Sequence, residues 1–180
     1  MLFRSNYVGP ASEIVELTAT QVEGRRFYKT PDDKWYPSVT TVTSHISAPT
    51  IKAWEERVGW EKAEKIRRTS SLRGSKYHGI VESYLKGDLQ KVEKSEGLPA
   101  YLFGFARKDL DRIDNIHCIE APLFSDDLCL AGRVDCIAEF DGELAIIDFK
   151  TTGTLKQEAW LERSEEHTSE LQSPCNLVCR

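Results

Sequence analysis

Two carboxylates and an amine stand close together in the second half of the chain: Asp135, then Asp148, with Lys150 two residues beyond it. Between the carboxylates lies Asp141-Gly142, flanked by alternating apolar residues, a pair that favours a two-residue type I′ hairpin turn. If these two residues form the loop, Phe140 faces Glu143, and the register carried outward sets Asp135 across from Asp148. Opposed residues on one sheet face have Cβ atoms about 4.5 to 5.5 Å apart, so the two carboxylates could grip one cation at roughly 2.1 Å per oxygen. Lys150 points from the same face as Asp148. Without a counter-ion two like charges so placed repel, and at least one pKa rises; a divalent metal removes the conflict. The plain alternative is an edge hairpin whose carboxylates reach water, with Lys150 an ordinary surface cation. Asp...Asp-x-Lys is a short pattern that arises by chance, and a bulge would shift the register by one residue.

A cation in such a cradle needs further ligands. Upstream, His78 precedes Glu82 by one helical turn and shares a face with Val81 and Leu85, which turns the imidazole toward the core layer. A lone His on a helix face is commonly a packing residue, and it becomes a ligand candidate only because the Asp pair calls for one. Gly74, one turn before His78, is expected to allow a close backbone approach.

The elements that must hold these groups follow from periodicity. Arg26–Thr30, a Pro31-Asp32-Asp33 turn and Lys34–Pro37 read as a hairpin in an N-terminal arm, and Ser38–Val42 continues the β-rich signal. Helical patterning predicts a helix over 50–69 with Thr50 as N-cap after Pro49, a second over 72–86 ended by Gly87-Asp88, and a third over 99–113. The period then becomes two through 118–124, 130–140 and 144–151. Helices followed by a β-meander, with apolar residues on both strand faces, predict an α/β or α+β layered domain.

Composition sets the outer bounds. A chain of 180 residues, 40% hydrophobic and 29% charged, can bury a core and is neither disordered nor fibrous. No apolar run nears the roughly 18 residues of a bilayer span, and Met1–Asn6 is too short and polar for a signal-peptide core, so a cytoplasmic protein is expected. Five Cys without a CxxC pair argue against a disulfide framework and a zinc ribbon. The formal net charge of -5 does not mark a nucleic-acid binder, although it averages over all faces.

The last eighteen residues, 163–180, break with what precedes them. RSEEHTSELQS resembles the translation of a sequencing-library adapter, and NLVCR resembles its continuation after an index; the alternative is a natural disordered tail. Without this segment the body holds 22 basic and 26 acidic residues and three Cys, and the natural chain is expected to continue beyond Glu162.

Gly74-x-x-x-His78, Gly132-x-x-Asp135 and Asp148-x-Lys150, in that order on a helix, a strand and the next strand, resemble the first three motifs of the RecB-like branch of the PD-(D/E)XK nuclease superfamily. Within it, Tyr36–Val42, the Trp54 helix, Glu120 and Asp148-Phe149-Lys150-Thr151-Thr152 are most similar to phage-type and mitochondrial genome-maintenance exonucleases. The resemblance spans about 36–162. It implies an α/β, restriction-endonuclease-like core: a mixed β-sheet flanked by helices, C-terminally truncated. The implied organisation is an N-terminal arm over 1–35, an incomplete nuclease domain over 36–162 and a non-native tail over 163–180.

The same resemblance implies roles. His78, Asp135 and Asp148 become metal ligands with the Phe149 carbonyl, Glu120 supports the first ion or a second, and Lys150 orients or deprotonates the attacking water. Mg²⁺ suits the set, with Mn²⁺ as an alternative. The implied reaction is phosphodiester hydrolysis on DNA, single-stranded DNA favoured, in replication, recombination or repair, in a host's cytoplasm if the gene belongs to a phage. A fourth motif of the family, a Gln and a Tyr one helical turn apart, is missing: Leu161 stands four residues after Gln157. The chain is therefore either an active nuclease or one inactivated by truncation. An endonuclease on the same fold and a non-catalytic DNA-binding module are the runners-up. An iron–sulfur variant lacks the four thiolates it would need.

Between Arg57 and His78 the local net charge is +5, and Arg67, Arg68, Arg73 and Lys76 are the expected phosphate contacts. Trp54, Trp60 and Tyr77 are either base-stacking platforms or core aromatics.

Overall fold

In a computed structural model the chain is described over residues 6–10 and 13–151, and by backbone alone over 176–179. Its strands are β1 (Thr18–Val22), β2 (Arg25–Lys29), β3 (Trp35–Pro37), β4 (Ile113–Ser125), β5 (Leu130–Phe140), β6 (Glu143–Lys150) and β7 (Asn176–Cys179). Its helices are α1 (Val39–Val58), α2 (Trp60–Leu85), α3 (Leu89–Glu93) and α4 (Gly97–Leu110).

The strands form two sheets, β1-β2-β3 and β4-β5-β6-β7, and every ladder within them is antiparallel. The mixed sheet expected from the resemblance is thus corrected: parallel pairing among the described residues is confined to the isolated bridges Tyr7↔Ile116 and Ser38↔Ala131. Tight turns join β4 to β5 and β5 to β6, and such turns can return a chain only antiparallel. The expected hairpin in the N-terminal arm is β2–β3, closed by Thr30 N–H on the Lys34 carbonyl at 2.9 Å.

The helical half departs from the periodicity reading in an informative way. Ser38–Val42 is not a strand. Ser38 caps α1, its hydroxyl accepting from Thr41 N–H at 3.0 Å, and the β-branched residues 39–43 follow into the helix. A cap with a helical continuation outweighs a β propensity spanning only about 1 kcal/mol. Pro49 therefore lies inside α1, and the break falls at Gly59, whose φ of 85° only glycine adopts readily. From there α2 runs unbroken to Leu85, through the residues expected to separate two helices.

One face of the larger sheet carries the main core. Val81, Tyr84 and Leu85 of α2 and Phe103, Ala106 and Leu110 of α4 pack on Ile113 and Ile116 of β4, Cys136, Ala138 and Phe140 of β5, and Ala145, Ile147 and Phe149 of β6. The other face of β5 and β6 carries Asp135, Ile137, Ile146, Asp148 and Lys150, none of them buried. The Asp141-Gly142 turn sets this division. Both residues have positive φ, 52° and 85°, as a type I′ turn requires, and Phe140↔Glu143 opens a ladder that runs to Cys136↔Ile147. Arg112 binds the Asp141 carboxylate and holds its carboxyl below the usual range. Gly142→Ala, which forces a Cβ into the left-handed region, is expected to lower stability by about 1 kcal/mol, read as a shifted urea midpoint at unchanged slope.

β7 falls in the segment expected to carry no element, and it lies antiparallel along β6 from Ile147↔Cys179 to Lys150↔Asn176. A sheet edge with unpaired N–H and C=O groups accepts an extended chain with little regard to its sequence.

Candidate metal centre

Three elements bring one ligand atom each to a common point. His78 comes from α2, Glu120 from β4 and Asp135 from β5, and their candidate ligand atoms all lie within 4.8 Å of one another. His78 Nδ1 is 3.6 Å from Glu120 Oε1 and 3.6 Å from Asp135 Oδ2. The β4–β5 register explains the carboxylate pair: Ile119↔Cys136 and Ala121↔Val134 bracket Glu120 and Asp135, so these two stand abreast.

The imidazole is oriented from behind. His78 Nε2 lies 2.7 Å from the Phe149 carbonyl, an acceptor, so that nitrogen donates and Nδ1 is the one turned toward the carboxylates. Ring contacts with Tyr77 and Phe149, centroids 6.4 and 6.0 Å away and nearly perpendicular, fix its plane. Asp135 is the most enclosed of the three, its side chain 14% exposed, and its Oδ2 accepts Phe149 N–H at 2.7 Å. Burial holds the Asp135 carboxyl above its ordinary range; Asp148 pushes the same way, while the Phe149 N–H, His78 and Lys150 oppose it. Glu120 is also raised, by burial first and then by Asp135, against the pull of His78.

These groups fit a small divalent cation. Two adjacent ligands about 2.1 Å from an ion lie roughly 3.0 Å apart in an octahedron, so the 3.6 Å separations would have to close by about half an ångström around such an ion. One imidazole with two carboxylates is a donor set that Mg²⁺ or Mn²⁺ accepts. Two acids kept above their normal pKa, one beside the other, would gain from such an ion compensation beyond what the neighbouring donors provide.

Asp148 stands outside this trio. The β5–β6 ladder ends at Cys136↔Ile147, and in its place Asp135 takes up the Phe149 N–H, so the strands diverge just before the two aspartates would meet. Asp148 binds Lys150 Nζ instead, at 2.5 Å. The carbonyl of Phe149 faces His78 rather than the carboxylates. Glu120, which strand periodicity leaves indistinguishable from a solvent-facing residue, has a φ of 52°, a conformation costing about 1 kcal/mol or more outside glycine, and Arg133 binds its carbonyl. No local pattern reveals such an outlier. A methyl group built on Gly74 meets no atom within 4 Å, so close backbone packing is not the reason for that glycine.

The basic stretch is only partly open. Arg67 is taken by Glu55 and Glu64, and Arg73 donates to the Thr151 carbonyl at 3.0 Å, while Arg68 and Lys76 are exposed. Tyr77, 1% exposed, is a core residue that cannot stack a base; Trp60, 70% exposed, stands in solvent, and Trp54 is half-buried.

A converging imidazole–carboxylate trio, with a lysine on the neighbouring strand, is an arrangement that could hold a metal ion, on a mixed α/β fold compatible with a nuclease. No family model matches the chain. It is 27% identical over 124 residues to Mitochondrial genome maintenance exonuclease 1 of Mus musculus, covering 64% of this chain and 37% of that protein. The human protein of the same name is 26% identical over 126 residues and that of Xenopus tropicalis 30% over 125, each match covering 64% of this chain and 36% of the relative. The chain thus spans little more than a third of the length of the curated relatives it matches, and this distant similarity supports a nuclease family. No helix among the described residues is long and apolar enough to cross a membrane.

Proposed function

We propose that this chain carries the metal-binding core of a DNA exonuclease of the PD-(D/E)XK superfamily, RecB-like branch, acting with Mg²⁺ and preferring single strands. The supporting observation is the convergence of His78 Nδ1, Glu120 and Asp135 within 4.8 Å beside the strand that ends in Lys150. Glu120 thereby joins His78 and Asp135 as a principal ligand. Asp148 keeps its place in the set by the resemblance, and its carboxylate holds Lys150.

A bound Mg²⁺ or Mn²⁺ would polarise a phosphate oxygen and acidify a water. The chain's own groups then have defined tasks. His78 and the two carboxylates hold the ion, Phe149 fixes the imidazole through its carbonyl and Asp135 through its N–H, and Lys150 directs the attacking water and offsets charge on the phosphorus centre as the P–O bond breaks. The exposed Arg68 and Lys76, on the helix that bears His78, would meet the phosphate backbone.

Incubating the chain with end-labelled single- and double-stranded DNA tests this reading. Mg²⁺ or Mn²⁺ is expected to permit shortening of the single strand from its ends, and EDTA to stop it. Equal cleavage in EDTA, or binding to DNA with no cleavage under any metal, would remove the exonuclease from consideration. Affinity should also fall steeply as salt rises from 50 to 200 mM, by roughly tenfold for every two phosphate contacts.

A further inference from the structure

We infer that Arg73 is a positioning residue for Lys150, its guanidinium serving the end of β6 rather than a phosphate of the substrate. The inference rests on the nuclease reading only for Lys150's task; the placement itself stands apart from it.

After Ile147 the edge of β6 that had paired with β5 loses its backbone partner. A buried or half-buried strand edge cannot leave its N–H and C=O groups unmatched without a cost of about 1–3 kcal/mol each. Here three side chains in succession replace the missing strand. Phe149 N–H donates to Asp135 Oδ2 at 2.7 Å, the Phe149 carbonyl meets His78 Nε2 at 2.7 Å, and the Thr151 carbonyl accepts from Arg73 Nη2 at 3.0 Å. Arg73 Nε also reaches Thr151 Oγ1 at 3.4 Å. Residues 149 and 151 turn their polar groups to the same side of a strand, and Lys150 lies between them.

Two of the three clamps are the candidate metal ligands, so the third decides whether Lys150 is fixed from one side or both. His78 and Arg73 both belong to α2, which makes a single rigid helix the reference for the imidazole and the amine alike. The opposite edge of β6 pairs with β7 through Lys150↔Asn176. With Arg73 removed, Thr151 loses these two bonds to the helix, and an amine displaced by about 1 Å can lose on the order of 10²-fold in rate.

The two roles open to Arg73 differ in what they disturb. A positioning residue lowers kcat and leaves KM and the salt slope unchanged. A phosphate contact raises KM and flattens the slope of log affinity against log salt by about one unit. Arg73→Gln, assayed on end-labelled single-stranded DNA with Mg²⁺, is expected to lower kcat about 10- to 100-fold at constant KM and salt slope, and Arg73→Lys, which keeps a donor for the Thr151 carbonyl, to recover some of the loss. In a Lys150→Ala background, Arg73→Gln should cost almost nothing more. A risen KM with a flatter salt slope, or an undiminished loss in that background, overturns the inference. A readout independent of activity uses the Lys150 side-chain ¹⁵N NMR resonance, assigned by its absence in Lys150→Ala. It should move in Arg73→Gln and stay near its wild-type position in Arg73→Lys; a resonance unmoved in Arg73→Gln sinks the positioning role. Absence of any cleavage by the unmutated chain would count against the nuclease reading alone, since the resonance still judges Arg73.

Discussion

Asp135→Asn is expected to lower metal-dependent cleavage by on the order of 10³-fold while raising the melting temperature of the metal-free chain at neutral pH. The two effects share one cause. The Asp135 carboxyl is held above its ordinary range by burial, so its charged form is less welcome in the folded chain than in the unfolded one. For a carboxyl raised in this way, the folded state gains below the unfolded pKa, near 3.9, and that gain is lost as pH rises through the folded value. At pH 7 the charge therefore works against the fold. Asparagine removes it and keeps an oxygen for Phe149 N–H. Each kcal/mol recovered should appear as roughly 2–4 °C in a chain of this size. Melts in EDTA from pH 3 to pH 8 should show the variant ahead at neutral pH and the gap closing as the pH falls. Added Mg²⁺ should reverse the order, because a ligand at a hundred times its Kd stabilises the wild type by about 2.7 kcal/mol and finds no such site in the variant. A wild type that melts higher in EDTA at pH 7, or an equal Mg²⁺ response from both proteins, would contradict the metal centre.

Lys150→Ala separates catalysis from metal binding. Its ammonium is held by Asp148 and forms no part of the His78–Glu120–Asp135 trio. Removing a group that directs or deprotonates the attacking water lowers kcat by about 10²- to 10⁴-fold. The Mg²⁺-induced rise in melting temperature should survive intact, since all three ligands remain. The assignment of Lys150 fails if the variant retains wild-type kcat. It fails also if the metal response disappears, because the lysine would then be serving the ion and not the water.

The hairpin that carries Asp135 is legible in the sequence because its determinants are local. Asp141-Gly142 is a turn that only residues tolerant of positive φ can make, and the alternation on either side assigns Cys136, Ala138, Ile147 and Phe149 to the core face. The placement of His78 one turn before Glu82, beside Val81 and Leu85, is legible for the same reason: a helix repeats every 3.6 residues wherever it sits. Ser38–Val42 reads as a strand and folds as a helix because β-branched residues favour strands only until a serine cap and a downstream helix offer the backbone something better. The continuity of α2 through Ser70 and Ser71 escapes periodicity because these polar positions carry no apolar stripe to follow.

What the chain settles by its residues alone is therefore the set of chemical groups and the strand or helix face on which each one rides: an imidazole, acidic side chains across a tight turn, and an amine two residues on. Which acids meet is a different matter. β5 and β6 diverge after Cys136↔Ile147, which sends Asp148 to Lys150, while the β4–β5 register brings Glu120, nowhere near Asp148 in the chain, beside Asp135. Strand separation, a left-handed backbone at Glu120 and a helix side chain that stands in for a missing ladder bond all depend on groups far apart in the chain finding one another, and short-range spacing contains no record of that.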